Sequence, residues 1–404
     1  MNSIKPRIAD ISRGIVPAGY RNYGKYGVFP EDWRITTLGE ITSRLNGRNG
    51  DSSEYPAYSI NNQVGFIPQK EQFEEGSYDD LDKSSYRIVE RGQFAYNPAR
   101  INVGSIGVLK DCDKAIISSL YVCFDTSKDV CKSYLENWFR TTDFYKEIIR
   151  NTEGSVREYL FYENFSNIRI ALPPLEEQKR IAEILECCDK VICLKRELIE
   201  EKKKQKKSLM QRLMRLWTSN YRNESLGQNI TLVSGVDFTP SYYNEINDGT
   251  PYITGASNIE GKSIVINRWT RFPRNIAVQN DIILVCKGAG VGTIAKMNYP
   301  KAHIARQLMA IRGGDKMKTD YIYYFLEDSI HEIKKKSKGL IEGIDRKAIL
   351  ELKINVPPIP YQEKTIRILS SVDHELDLLE QDLTQWELKK KSLMQLLLTG
   401  KVRV

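Results

Sequence analysis

Histidine and paired cysteine are what this 404-residue chain has least of. The three histidines are His303, His331 and His374, and the seven cysteines, at 112, 123, 131, 187, 188, 193 and 286, form no CxxC pair. No zinc site is therefore expected, and scattered thiols of this kind suit a reducing cytoplasm. No apolar run is long enough to cross a membrane, and the first residues carry none that reads as a secretion signal. A phosphate-binding loop of the form Gly-x-x-x-x-Gly-Lys-Ser/Thr is absent as well. Nor is there a strong charge imbalance: 60 Lys and Arg against 52 Asp and Glu leave a net charge of +8, which permits a nucleic-acid partner without requiring one. Hydrophobic residues make up 41%, enough for real cores, and the length suits two or three domains.

What the chain does have is one long stretch used twice. LPPLEEQKRIAEILECCDKVICLKRELIEEKKKQKKSLMQRLM (172–214) matches VPPIPYQEKTIRILSSVDHELDLLEQDLTQWELKKKSLMQLLL (356–398) without a gap. Pro173 aligns with Pro357, Gln178 with Gln362 and Asp189 with Asp373, at a constant offset of 184. Solenoid units recur every 20–50 residues or so, so this period signals duplication of a whole domain-plus-helix unit. The Pro-Pro pair enforces an extended entry, and no proline or glycine interrupts residues 175–214. In the second copy Leu369, Val372, Leu376, Leu379, Leu383, Trp386, Leu393 and Leu397 recur at 3,4 spacing, a coiled-coil seam. The same register in the first copy gives Leu185, Cys188, Ile192, Ile199, Leu209 and Leu213, with Lys195, Lys202 and Lys206 at the other seam positions, where they weaken the seam or snorkel from it. The run KKKQKK (202–207) reads first as a solvated helix face, with phosphate binding or an acidic partner as the sharper alternatives.

Two globular units precede the two helices. FPEDWRITTLGEI (29–41) aligns with SNYRNESLGQNI (219–230), and VGSIGVL (103–109) with VGTIAKM (291–297), at an offset of 188. Each unit then has an apolar strand-like segment, IISSLYVCF (116–124) or HIARQLMAI (303–311), and a helix-like one, SYLENWFRTTDFYKEII (133–149) or DYIYYFLEDSIHEIKKK (320–336). Short Val/Ile/Tyr runs such as QFAYNP (93–98) and DIILVC (281–286), broken by Gly, Asn and Pro, predict α+β units. The expected order is an extension over 1–28, a globular domain over 29–172, a helix over 173–216, a second globular domain over 217–356 and a helix over 357–404. With the helices antiparallel, the chain would be pseudo-two-fold and nearly circular, its last residues TGKVRV (399–404) returning to the first domain.

LPPLEEQKRIAEIL and VPPIPYQEKTIRIL leading into KKSLMQ, together with FPEDWRITTLGEI and the ending LMQLLLTGKVRV, resemble the specificity subunit of type I restriction–modification enzymes. The resemblance covers 29–404. It implies two target recognition domains, each reading one half of a split double-stranded DNA sequence. It also implies helical regions that hold two methyltransferase subunits, and further restriction and translocase subunits. The chain itself would be non-catalytic and free of cofactors, with S-adenosylmethionine, ATP and magnesium on the partner subunits. Two other readings stay open: the specificity subunit of a related two-component restriction enzyme, and a coiled-coil scaffold that binds protein only. A stand-alone methyltransferase is disfavoured, because YNPAR (96–100) lacks the Asn-Pro-Pro-Tyr ending used on a flipped base.

Base recognition needs Asn or Gln for adenine and Arg or Lys for guanine. Loop candidates in the first unit are Asn61, Asn62, Gln63, Asn97, Arg100, Asn102, Ser118 and Ser119; in the second they are Asn258, Lys287, Arg306 and Gln307. YNPAR and KGAG (287–290) both stand just before the shared VGxI, and Ser118-Ser119 correspond to Arg306-Gln307, so the copies diverge where different bases would be read. DIILVCKGAGVGT (281–293) faintly resembles a nucleotide-binding loop, but IAKMNYP after it does not read as a helix, and tight turns explain the glycines.

Overall fold

The computed structural model describes residues 8–11, 13–50, 55–72, 83–152, 159–215, 223–288, 290–336 and 343–404. The chain divides into two units whose boundaries fall inside the two long helices. Met1–Leu194 with Leu383–Val404 form the first, and Lys195–Asp382 the second.

In the first unit two four-stranded sheets face each other. One has the strand order Gly65–Pro68, Ala57–Asn61, Lys114–Ile117, Arg87–Glu90; the other Thr42–Leu45, Val122–Thr126, Phe94–Tyr96, Ile106–Val108. All pairings are antiparallel except that of Ala57–Asn61 with Lys114–Ile117, where Ile117 stands beside Tyr58. A small core of Tyr58, Ile60, Phe66, Val89, Leu109 and Ile117 lies between the sheets. A larger aromatic core joins the second sheet to the helices, with Phe94 stacked on Phe124 at 5.1 Å and Phe139, Phe165 and Leu185 packed around them.

The second unit repeats this plan. Trp269–Thr270, Thr250–Ile253, Lys301–Ile304 and Ile276–Val278 form one sheet; Ile230–Ser234, Leu308–Gly313, Ile282–Val285 and Ile294–Lys296 form the other. Its one parallel pairing again joins the equivalent strands, with Ile253 beside Ile304. Gly235 has to be glycine, because a Cβ there would overlap the Ala305 carbonyl.

The long helices span Leu175–Arg215 and Ile359–Leu397. At 41 residues the first is about 60 Å long. Each opens with the same buried latch. Gln178 Nε2 donates to the carbonyls of Pro173 (2.9 Å) and Asp129 (3.2 Å), and its Oε1 accepts from the Cys131 amide (2.8 Å). Gln362 makes the matching set with Pro357 (2.8 Å), Lys316 (2.8 Å) and Lys318 (2.9 Å). The glutamine thus ties each long helix to the loop that starts its unit's preceding helix.

The seam follows the expected positions. Leu185, Ile192, Ile199, Leu369 and Leu376 are buried, and Leu209, Val372, Leu379, Leu383, Trp386 and Leu393 are half-buried. In the second unit the ion pairs Lys195–Asp382, Lys202–Glu375 (2.7 Å) and Lys206–Asp373 (2.9 Å) run in opposite directions along the two helices, so the segments are antiparallel. In the first unit Lys390 pairs with Asp189 at 2.6 Å, the duplicate of Lys206 with Asp373. The seam lysines therefore do not leave the seam empty. Lys206 is only 8% exposed and does not snorkel; Glu327 and Asp373 hold it in place. Lys203 also pairs with Glu380, so much of the KKKQKK run is engaged with this chain's own acids.

Three expectations are corrected. IISSLYVCF and HIARQLMAI are not single strands. Each breaks into two, Lys114–Ile117 with Val122–Thr126 and Lys301–Ile304 with Leu308–Gly313, because the chain crosses from one sheet to the other at the break. The helix-like stretch 133–149 is two helices, Lys132–Trp138 and Thr142–Asn151, the second capped by the Thr141 hydroxyl. The extension over 1–28 is not loose in its described part: Tyr20–Asn22 pairs with Val28–Pro30, and the buried Tyr20 hydroxyl donates to the Gly400 carbonyl at 2.8 Å. Beside it Arg403 binds both Glu177 and Asp32, so the C-terminal tail does return to the start of the first unit. Residues 1–7 lie outside the described residues.

Candidate nucleic-acid interface

Strand register gathers three loops at one end of the first unit. The turn after Ala57–Asn61 carries Asn62 and Gln63, with the Asn61 side chain accepting from the Gln63 amide at 2.8 Å. The loop after Phe94–Tyr96 carries Asn97, Arg100 and Asn102, and the Asn97 side chain accepts from the Ala99 amide at 3.0 Å. The turn between Lys114–Ile117 and Val122–Thr126 carries Ser118 and Ser119. Because Ile117 lies beside Tyr58 in parallel and Val122 opposite Tyr96, all three leave the sheets at the same end. Two contacts lock the first two together. Ser105 Oγ donates to the Ile60 carbonyl at 3.2 Å, and Gly104, at φ +92°, would bring a Cβ within 3.3 Å of the Asn62 carbonyl. Asn61 and Asn97 thus shape their turns, leaving Asn62, Gln63 and Arg100 exposed. Among the described residues Arg100 has no ion pair.

The second unit builds the same end from different residues. Val285 lies opposite Leu308 and Ile253 beside Ile304, so the loops 254–258, 286–293 and 305–307 emerge together. Lys287, Arg306 and Gln307 are exposed there. Arg306 pairs with Asp237 at 2.7 Å, and Gln307 Oε1 packs close to Gly255, where it would lie 2.7 Å from a Cβ. Asn258 is a correction. It is 1% exposed; its Oδ1 accepts from the Thr254 amide and hydroxyl, and its Nδ2 donates to Val265 and Asn267, so it braces the loop and reaches no base. The glycines of KGAGVG make a tight hairpin turn, with Gly288, Gly290 and Gly292 at φ +80°, +85° and +84°, between two antiparallel strands. No helix follows, so the turn cannot present a helix N-terminus to a nucleotide.

One element of this end went unnoticed in the sequence. The loop after Ile230–Ser234 runs beside residues 304–308, with the Gly235 amide bonded to the Leu308 carbonyl at 3.0 Å. It carries Phe238, stacked on the buried His303 with ring centroids 4.1 Å apart. His303 Nε2 lies 2.8 Å from the Val236 carbonyl, and Nδ1 accepts from the Arg274 amide. Burial pushes the imidazole pKa below its ordinary value, which keeps it neutral and able to do both. His303 holds this loop in place. Its position inside a strand, far from residue 238, gave no signal.

A family model described as the type I restriction modification DNA specificity domain matches residues 30–204 and again 236–388. The chain belongs to this family. A type I restriction enzyme MjaX specificity subunit of Methanocaldococcus jannaschii, itself described as putative, is 24% identical over 94% of this chain and 95% of its own length. A chain solved for complex assembly and conformational transition of the type I R-M system superposes with a TM-score of 0.64 at 19% identity, covering 93% of this chain and 99% of that one. The HsdS subunit from Thermoanaerobacter tengcongensis gives 0.50 at 20% identity, covering 95% and 100%. These solved structures share the fold. The family model thus matches the chain twice, and the exposed loop residues at the matching ends of the two units differ between the copies.

Proposed function

We propose that the exposed loop ends are the DNA-reading surfaces, one for each half of a bipartite target. The observation that carries this is the coincidence of divergence and geometry. The loop segments 61–64, 97–102 and 118–121 differ in sequence from 254–258, 287–290 and 305–307, and each set converges at the same end of its unit's matching sheets. Asn62, Gln63, Arg100, Asn102, Ser118 and Ser119 read one half; Lys287, Arg306 and Gln307 read the other. The long helices hold two methyltransferase subunits and set the spacer. Exposed leucines support a docking role, Leu194 and Leu388 in the first unit and Leu198 and Leu378 in the second. In this reading the chain recognises DNA in the cytoplasm and catalyses nothing. Its partners bring S-adenosylmethionine, ATP and magnesium and carry out methylation, translocation and cleavage.

The test is DNA binding by the chain assembled with its methyltransferase subunits, measured as a function of salt. Phosphate contacts make the affinity fall as salt rises. Arg100→Ala is expected to weaken target binding by about 1–3 kcal/mol and to relax one guanine position in one half only. Equal tolerance of all bases before and after the change would sink the assignment. Methyl transfer by the purified chain alone would overturn the non-catalytic reading.

A further inference from the structure

The three loops of the first unit end in aliphatic side chains that nothing covers. Val64 is 65% exposed, Val103 58% and Leu120 76%, one on each loop. Single exposed aliphatics are ordinary on a protein surface. Here Val64 and Val103 stand on two loops that touch, and Leu120 on a third that leaves the sheets at the same end; exposed apolar side chains gathered at one end mark a binding site. The second unit has no match for the tip. Its corresponding turn, Ala305-Arg306-Gln307, is one residue shorter and wholly polar beyond the alanine, and Val291, the counterpart of Val103, packs against the core.

The occupant follows from the neighbours of these side chains. The loops 61–64, 97–105 and 118–121 contain no Asp or Glu, and they carry Arg100 with Asn62, Gln63 and Asn102. An anionic ligand bearing donors, acceptors and an apolar group satisfies that set. In the major groove only thymine offers an apolar group, its 5-methyl.

We propose that the first unit recognises thymine through this methyl group, seated against Leu120, Val64 and Val103. The inference rests on the DNA-reading function proposed above. Burying one methyl group in such a seat corresponds to roughly a fourfold change in affinity.

The experiment uses the chain assembled with its methyltransferase subunits and a fluorescent duplex carrying the target found by methylation mapping. Each thymine is replaced in turn by deoxyuridine, which lacks only the methyl. At least one replacement should weaken binding roughly fourfold, and Leu120→Ala, or Val64→Ala with Val103→Ala, should bind the thymine and uracil duplexes alike. Because these side chains are exposed, the variants should keep the wild-type melting temperature. Uracil indifference at every position overturns the inference while leaving the DNA-reading function standing, as does a uracil effect that survives all three substitutions. Loss of partner assembly in the Leu120 variant, with thymine and uracil still distinguished, overturns it in favour of a protein contact. Failure of the assembled complex to prefer any sequence would remove the reading function and this inference with it.

Discussion

Replacing Gln178 with leucine keeps the side chain's approximate bulk and removes one donor group and one acceptor. The loss strands the Cys131 amide and the carbonyls of Asp129 and Pro173, all near a side chain that is almost wholly buried. A buried polar group left without its partner costs about 1–3 kcal/mol. Water reaches part of the 129–131 loop, so the three do not add in full, and the expected cost is about 3 kcal/mol. For a unit of some 200 residues that corresponds to a fall of roughly 6–12 °C in Tm. Gln362→Leu should cost the second unit a similar amount, since the bonds from Gln362 to Pro357, Lys316 and Lys318 duplicate the first set. The assay is thermal unfolding followed by calorimetry on both single variants and the double. A loss under about 1 kcal/mol in either would mean that water replaces the amide, and that the glutamine shared by both copies is not what ties helix to unit.

Lys206→Met should destabilise the second unit by about 3 kcal/mol in urea unfolding, because it removes the buried cation that pairs with both Glu327 and Asp373, although Lys262 still pairs with Asp373. Burial raises the Asp373 pKa, but the hydrogen bonds from Lys262 and Lys206 outweigh it and hold the group below its ordinary value. The stability this cluster supplies is therefore present above about pH 4 and lost as pH falls through the lower folded value; a urea midpoint indifferent to acid in that range would contradict it. His303 works at higher pH. Its folded pKa lies below the unfolded value of about 6.5, so the unfolded chain takes up a proton first and the second unit weakens as pH drops below about 6.5. His303→Phe should flatten that slope in thermal unfolding, and an unchanged slope would exclude His303 as its source. Four residues inserted into each long helix, near Ile199 and near Leu383, add roughly 6 Å. Methylation mapping should then show the two halves of the target one or two base pairs further apart with the bases unchanged, at about 3.4 Å per base pair; an unchanged spacer would mean that the helices do not set it.

The helices and their seam were legible because 3,4 spacing is a local property, and Leu369 to Trp386 carry it without interruption. The two-sheet plan was not. IISSLYVCF reads as one apolar run, and nothing local marks Ser118-Ser119 as the place where the chain changes sheet. Once the break is known, those serines and Arg306-Gln307 fall where divergence between the copies had already pointed. Asn258 misled because a loop asparagine looks the same in sequence whether it faces solvent or, as here, donates to Val265 and accepts from Thr254. Lys206 read as a flaw in the seam because its counter-ions, Glu327 and Asp373, lie more than a hundred residues away. The hairpin at Tyr20–Pro30 gave no alternation, since it is held by pairing and by the distant Gly400 rather than by an apolar face of its own.

The most direct test of the account is genome-wide mapping of adenine methylation in cells that carry this chain with its methyltransferase subunits and in cells that lack it. Methylation that depends on the chain is expected at one split, non-palindromic sequence whose two halves differ, as the two loop ends differ. No methylation that depends on the chain, or a target without a gap, would contradict it.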